Sequence, residues 1–184
     1  MPKTQYFTAA SIDGFVADAD NSLDWLLNLP RTPGNEDRFR TFFAGVGAMA
    51  MGATTYEWVL DHERMLDNPA VWREYYGDTP CWVFTHRELP AVPGVRLAFV
   101  EGDVRDAHRA MTEAAGDANV WLVGGGGLAG QFAAAGLIDQ LVMGVAPVTL
   151  GAGAPLLPYR MVGRLRLAEV ARDGDFVSLT YDVT

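Results

Sequence analysis

The chain has 184 residues, a formal net charge of −9 and a single cysteine, Cys81. That length suits one compact domain with a self-sufficient core, so residues 1–184 are read as one unit. The acidic balance argues against a nucleic-acid partner. A lone cysteine excludes an internal disulfide framework and a thiolate zinc cage. No run approaches the length of a membrane span, and Met1–Thr4 does not open a charged-then-apolar leader. The expectation is a cytoplasmic protein with no membrane partner.

In chain order, Lys3–Ser11 reads as a strand closed by the turn signal Asp13-Gly14. Phe15–Ala17 continues as a short extended piece, and Asp18–Ser22 as a polar turn. Asn35–Val46 predicts an amphipathic helix capped by Asn35, with Phe39, Phe42, Phe43 and Val46 on one face. Gly47–Met51 is a short apolar strand running into Gly52-Ala53-Thr54-Thr55 and a helix over Tyr56–Leu60. His62–Gly77 is irregular, with a short helix near Ala70–Tyr76. Cys81–Thr85 and Val95–Val100 read as buried strands. Asp103–Ala115 reads as a helix with Val104, Ala107, His108, Met111, Ala114 and Ala115 on one stripe. The apolar strand Val120–Val123 leads into Gly124–Gly127 and a helix over Leu128–Ala135. Gln140–Pro147 is a strand, 151–155 a loop, and Leu165–Ala171 with Phe176–Val183 a hairpin around Asp173-Gly174. This order predicts a three-layer α/β fold, a mostly parallel twisted sheet with an antiparallel C-terminal hairpin.

Three strand ends carry the chemistry. A buried strand followed by four glycines and a helix suits a phosphate, because glycine admits close approach and a helix N-terminus offers unpaired N–H groups. Gly124-x-Gly126-x-x-Ala129 spells the Rossmann fingerprint, but it lies late in the chain and no acid ends the next strand. Met51-Gly52-Ala53-Thr54-Thr55 repeats the strand–glycine–helix pattern; Thr54 or Thr55 either caps the helix or meets a second phosphate. Thr85-His86-Arg87 ends another strand, where a hydroxyl and a cation suit an adenosine 2′-phosphate. Two carboxylates stand out. Asp13 is a turn residue or a site acid. Asp24, among Leu23, Trp25 and Leu26, either caps a turn or is desolvated and orients or protonates substrate.

Ser11-Ile12-Asp13-Gly14-Phe15-Val16-Ala17, Met51-Gly52-x-x-Thr55-Tyr56-Glu57, the Gly124–Gly127 loop with Gln131-Phe132, and Pro147-Val148-x-Leu150-Gly151-x-Gly153-x-Pro155-Leu156 together resemble the dihydrofolate-reductase-like superfamily. The nearest branch is the reductase domain of the riboflavin-biosynthesis deaminase–reductase, with its stand-alone relatives. The resemblance implies a homodimeric reductase that binds NADPH, with NADH as the alternative, and acts on a small pterin- or pyrimidine-like molecule. It implies Ala9 and Ala10 beside the nicotinamide and Phe15 and Val16 on a mobile cover. Gly52, Thr54, Thr55 and Gly124, Gly125, Gly126, Gly127 and Leu128 would lie at the phosphates, and Thr85, His86 and Arg87 at the adenosine end. The apolar segment Leu141–Val148 and the edge strands of the final hairpin also suit a dimer.

The chain departs from these relatives in four places. Ala53 replaces a common Arg after the glycine. Phe15 replaces the Lys of the riboflavin branch, which argues against a ribosylaminouracil substrate. The position of the folate-binding carboxylate falls on Pro30 or Thr32, which argues against folate. Pro80-Cys81 lacks the second cysteine of a zinc deaminase, so no metal is expected. Hydride chemistry needs no nucleophile triad. The alternative is a non-catalytic dinucleotide sensor on the same fold, which a pocket plugged by Trp25 or Trp58 would favour.

Overall fold

The computed structural model describes residues 1–30 and 33–184. Its elements are β1 (Thr4–Ala10), β2 (Phe15–Ala17), α1 (Asp24–Leu27), α2 (Pro33–Phe43), β3 (Val46–Gly52), α3 (Ala53–His62), α4 (Ala70–Tyr76) and β4 (Cys81–Phe84). There follow β5 (Leu97–Val100), α5 (Val104–Ala115), β6 (Asn119–Gly124), α6 (Gly126–Ala134), β7 (Gln140–Val145), β8 (Ala154–Pro155), β9 (Leu165–Asp173) and β10 (Phe176–Val183). Eight strands form one sheet in the order β5-β4-β3-β6-β1-β7-β10-β9. The first six run parallel, and β10 lies antiparallel to both β7 and β9.

The apolar runs of the central strands exist because both faces are covered. Alternation along β3 and β6 sends Ala48, Ala50, Val120 and Leu122 toward α5 and α6, and Met49, Met51 and Trp121 toward α3 and α4. Small residues face α5 because that helix lies very close: a Cβ at Gly47 would stand 2.7 Å from the Ala115 carbonyl oxygen. On α5 the predicted stripe faces the sheet except for Ala114, which is exposed. Its His108 packs edge-on against Phe132 and pairs with the Thr4 hydroxyl at 2.7 Å, and burial lowers its pKa.

The differences from expectation are local. Helix α2 begins at Pro33, whose fixed φ suits a first helical position, so Asn35 lies inside the first turn rather than before it. Thr32, one of the two folate-type positions, lies outside the described residues. Helix α1 was not expected. Part of the 151–155 loop is the strand β8, which pairs antiparallel with β2 as a separate two-stranded sheet. Within the apolar segment Leu141–Val148, β7 lies between β1 and β10, with Leu141 and Val142 buried, and the edge belongs to β9 of the final hairpin.

Candidate functional site

Strands β3 and β6 are neighbours, with Met51 opposite Gly124, so α3 and α6 begin side by side at the carboxyl edge of the sheet. Both helices are capped by glycine, Gly52 and Gly125, and neither has a side-chain capping bond. A glycine cap has no oxygen to give, so the first-turn N–H groups remain available to a ligand. Thr54 and Thr55 lie within the first turn of α3 and do not cap it. Between the two helix starts is a cleft of about 330 Å³. Gly52, Thr54, Thr55 and all of Gly124–Leu128 line it, as do Thr8 of β1 and Val16, Asn21 and Leu23 from the covering segment.

The glycines divide by role. Gly124 has φ +152°, a conformation reserved for glycine. A Cβ on Gly126 would collide with the Pro155 carbonyl oxygen and stand 2.6 Å from that of Leu156, so this glycine seats α6 against the 155–156 segment. A Cβ on Gly125 meets only the Thr55 hydroxyl at 3.8 Å. Packing does not require that glycine. Its missing side chain is part of the cleft.

A second, larger cavity of about 730 Å³ lies on the opposite face of β1. Phe7 and Ala9 face it, together with Leu27 of α1, Phe39 and Phe43 of α2, and Gly144 of β7. Ala9, Gly144 and Ser178 are cross-strand partners, a row of small residues that forms its floor. A Cβ on Gly144 would meet no atom within 4 Å, so the space it would fill belongs to the cavity. Arg38, Arg40 and Arg73 stand among the lining residues. Thr8 lines both cavities, which makes β1 the partition between them. Trp58 is in the wall of the smaller cleft, stacked on His62 at 4.5 Å, and Trp25 lines neither cavity.

The expected carboxylates stand elsewhere. Asp24 is the exposed first residue of α1, its N–H bonded to the Ser22 hydroxyl at 3.1 Å, and it lines neither cavity. A helix only four residues long turns Leu26 and Leu27 toward the larger cavity and leaves Asp24 in water. Asp13 accepts the Ser11 hydroxyl at 2.6 Å and the backbone N–H groups of Gly151 at 2.7 Å and Leu150 at 3.1 Å. The Ser11 bond first, then the two N–H groups, hold its carboxyl down to about 2. Its carboxylate clips the 11–15 turn to the 148–151 loop. The covering segment is tied down further by the β2–β8 pairing and by the Leu156 N–H bond to the Gly14 carbonyl at 2.8 Å. Phe15 lines neither cavity, Ala9 faces the larger one, and Ala10 is buried outside both.

At the carboxyl end of β4, Thr85, His86 and Arg87 line neither cavity. The Arg87 guanidinium does not present a free fork, because both of its ends bond Glu57 of α3, at 2.9 and 2.7 Å. His86 stands 3.2 Å from Glu101. The Thr85 hydroxyl is turned into its own loop, accepting the Arg87 N–H at 2.9 Å. Sequence reasoning missed Thr8, Asn21 and Leu23 and, apart from Ala9, the lining of the larger cavity. Gly144, inside an otherwise apolar strand, was the one local mark of that cavity, since glycine within a strand signals close approach or space.

Residues 56–179 match the family of the RibD C-terminal domain. Over 181 residues the chain is 30% identical to YwjB of Bacillus subtilis (strain 168), covering 97% of each protein. It is 30% identical over 170 residues to the riboflavin biosynthesis protein RibD of Corynebacterium ammoniagenes, covering 86% of this chain and 47% of that protein. The chain thus spans about half the length of RibD. Dihydrofolate reductase from Enterococcus faecalis, in its complex with NADP(H), has the same fold: the TM-score is 0.64 over 99% of this chain and 96% of that one, at 14% identity.

Proposed function

The chain belongs to the RibD C-terminal domain family, and on that footing we propose that it is an oxidoreductase. In this reading it reduces a small planar ring, pterin- or pyrimidine-like, using a nicotinamide dinucleotide, NADPH or NADH, held in the smaller cleft. The observation that carries the reading is the pair of cavities meeting at Thr8. One is lined by backbone at two helix starts that lack side-chain caps, as a pyrophosphate requires. The other has an apolar, aromatic wall, as a planar ring requires. The residues fit the dinucleotide on a geometric criterion as well, since a Cβ at Gly125 would occupy the cleft without touching the rest of the fold. The enterococcal reductase of this fold binds NADP(H), which supports the same assignment.

Bound in the cleft, the dinucleotide would supply a hydride. The chain's own residues bind, orient and exclude water. Thr54 and Thr55 with the N–H groups of Gly126 and Gly127 hold phosphates. Thr8 sets the partition, and Phe7, Phe39 and Phe43 give the second cavity its aromatic wall. Neither Asp13 nor Asp24 lines a cavity, so neither is assigned proton delivery. A sensor would be favoured by a plugged second cavity, and neither Trp25 nor Trp58 fills it. The test is oxidation of NADH and NADPH against a panel of pterins and pyrimidines. Turnover of one panel member, lost in Gly144→Phe while dinucleotide binding persists, supports the reading. Turnover undiminished in that variant contradicts the use of the second cavity.

The protein is also proposed to be a cytoplasmic homodimer. Cys81 is free and buried, and among the described residues no helix is long and apolar enough to cross a membrane. The dimer rests on the final hairpin. The ladder shifts register where Tyr181 meets Leu167 and Thr180 meets Glu169, leaving Ala168 as an extra residue. That bulge puts Leu165 and Leu167 on the same face as Val170 and Val177. All four are exposed, Val170 by 58%. An apolar, unpaired edge of this kind is ordinarily covered, most simply by a second copy across a two-fold axis. Leu167→Glu with Val170→Glu is expected to leave a folded monomer by light scattering at micromolar concentration. A wild-type monomer, or a double variant that stays dimeric, contradicts this surface.

A further inference from the structure

We infer that Ser178, in the floor of the larger cavity, determines what that cavity takes: a fused two-ring heterocycle whose far edge carries a hydrogen-bonding atom, in preference to a single ring. The inference rests on the proposed use of that cavity for the ring to be reduced. It begins with the way side chains shrink toward the carboxyl ends of β1 and β7. Phe7, Val142 and Thr180 are cross-strand partners on β1, β7 and β10. Two residues along each strand, the next row is Ala9, Gly144 and Ser178. Cross-strand partners share a face, and residues two apart return to it. The first row carries full-sized side chains and the second leaves the space above it open. Phe7 on one side and Phe176 on the other both line the opening, so the small row is the floor of a slot between two aromatic residues.

In that floor only Ser178 has a side chain able to hydrogen-bond. It is 9% exposed, and among the described residues its hydroxyl has no hydrogen-bond partner. A hydroxyl this far buried is ordinarily paired. Here its donor and its acceptor are left to whatever occupies the cavity. Its position sets the reach. The two cavities meet at Thr8 of β1, so the reacting atom of a bound ring belongs over β1, beside Ala9. Ser178 stands two strands away, about 9.6 Å at the usual strand spacing. A hydrogen bond takes up about 2.8 Å of that. Roughly 7 Å remains between the reacting atom and the polar edge atom. A single six-membered ring with its substituents is shorter than this, and two fused rings span it. A ring without the edge atom would displace water from Ser178 and replace none of its bonding, which is how a polar pocket rejects an analogue.

The experiment is calorimetric titration of the whole chain with pterin, isocytosine and unsubstituted pteridine, in the wild type and in Ser178→Ala. Isocytosine has the amino-oxo edge of pterin on one ring, and pteridine has both rings without that edge. Melting temperatures and titrations with NADH and NADPH show that the variant is otherwise intact. The wild type should bind pterin more tightly than either of the others by about tenfold or more. Ser178→Ala should weaken pterin by about tenfold, the loss of one buried hydrogen bond, and leave isocytosine and pteridine nearly unchanged. Pterin binding that Ser178→Ala does not alter overturns the inference, as does isocytosine binding as tight as that of pterin. If the wild type binds a dinucleotide but none of the three rings at millimolar concentration, the use of the larger cavity for a ring fails as well, and that outcome is distinct from the other two.

Discussion

Gly125→Val is expected to lose dinucleotide binding by at least a hundredfold while keeping a near-native melting temperature. Gly126→Ala is expected to do the reverse of what its place in the glycine run suggests. At Gly125 the backbone is ordinary, with φ −88°, and a Cβ finds only the Thr55 hydroxyl at 3.8 Å. The branched side chain therefore enters the cleft and not the core, where it blocks the approach of a phosphate to the helix start. At Gly126 even one methyl meets the carbonyl oxygens of Pro155 and Leu156. Backbone atoms cannot rotate away, so the cost is that of overpacking, about 1–3 kcal/mol or more. For a chain of this size that lowers the melting temperature by several degrees. Calorimetric titration and melting on the same preparations check both. Normal dinucleotide binding by Gly125→Val would make the loop a mere turn, and an unchanged melting temperature for Gly126→Ala would contradict the packing described.

Trp121→Ala should cost about 3–5 kcal/mol, the range for deleting a large buried aromatic side chain. Trp121 is 5% exposed and donates its indole N–H to the Phe7 carbonyl at 3.1 Å. Its ring lies within 6.5 Å of the ring centres of Phe7, Phe39, Phe42, Phe43 and Tyr76. It is thus the post on which α2 docks, and α2 is one wall of the larger cavity. Denaturant unfolding measures the loss. A change below about 1 kcal/mol would mean that the cavity around Trp121 collapses freely, contrary to interiors packed at crystal density.

Much of the fold was legible because its evidence is local. Buried parallel strands write themselves as short apolar runs such as Cys81–Phe84 and Asn119–Gly124, and the glycine-to-helix passages mark where those runs end. This part of the cleft lining was legible for the same reason, since Gly52, Thr54, Thr55 and Gly124–Leu128 lie in two continuous stretches. What could not be read depends on contacts between distant residues. The larger cavity draws a few residues each from six elements: β1, α1, α2, α4, β7 and β10. The β2–β8 ladder joins Phe15 to Pro155 through only two paired positions. The Arg87–Glu57 pair spans 30 residues, so an arginine at a strand end read as free when it is held. Asp24 misled because apolar neighbours in sequence imply burial only when the local backbone turns all of them the same way. In the four residues of α1 it does not.

The central claim is that the paired, glycine-capped starts of α3 and α6 hold one nicotinamide dinucleotide. The most direct measurement is a thermal melt of the wild-type chain with and without millimolar NADH and, separately, NADPH. A ligand at about 100 times its Kd adds roughly 2.7 kcal/mol to stability, which for a chain of this size raises the melting temperature by about 5–11 °C. The account predicts such a rise with at least one of the two, absent in Gly125→Val. A wild-type melting temperature unmoved by either would contradict it.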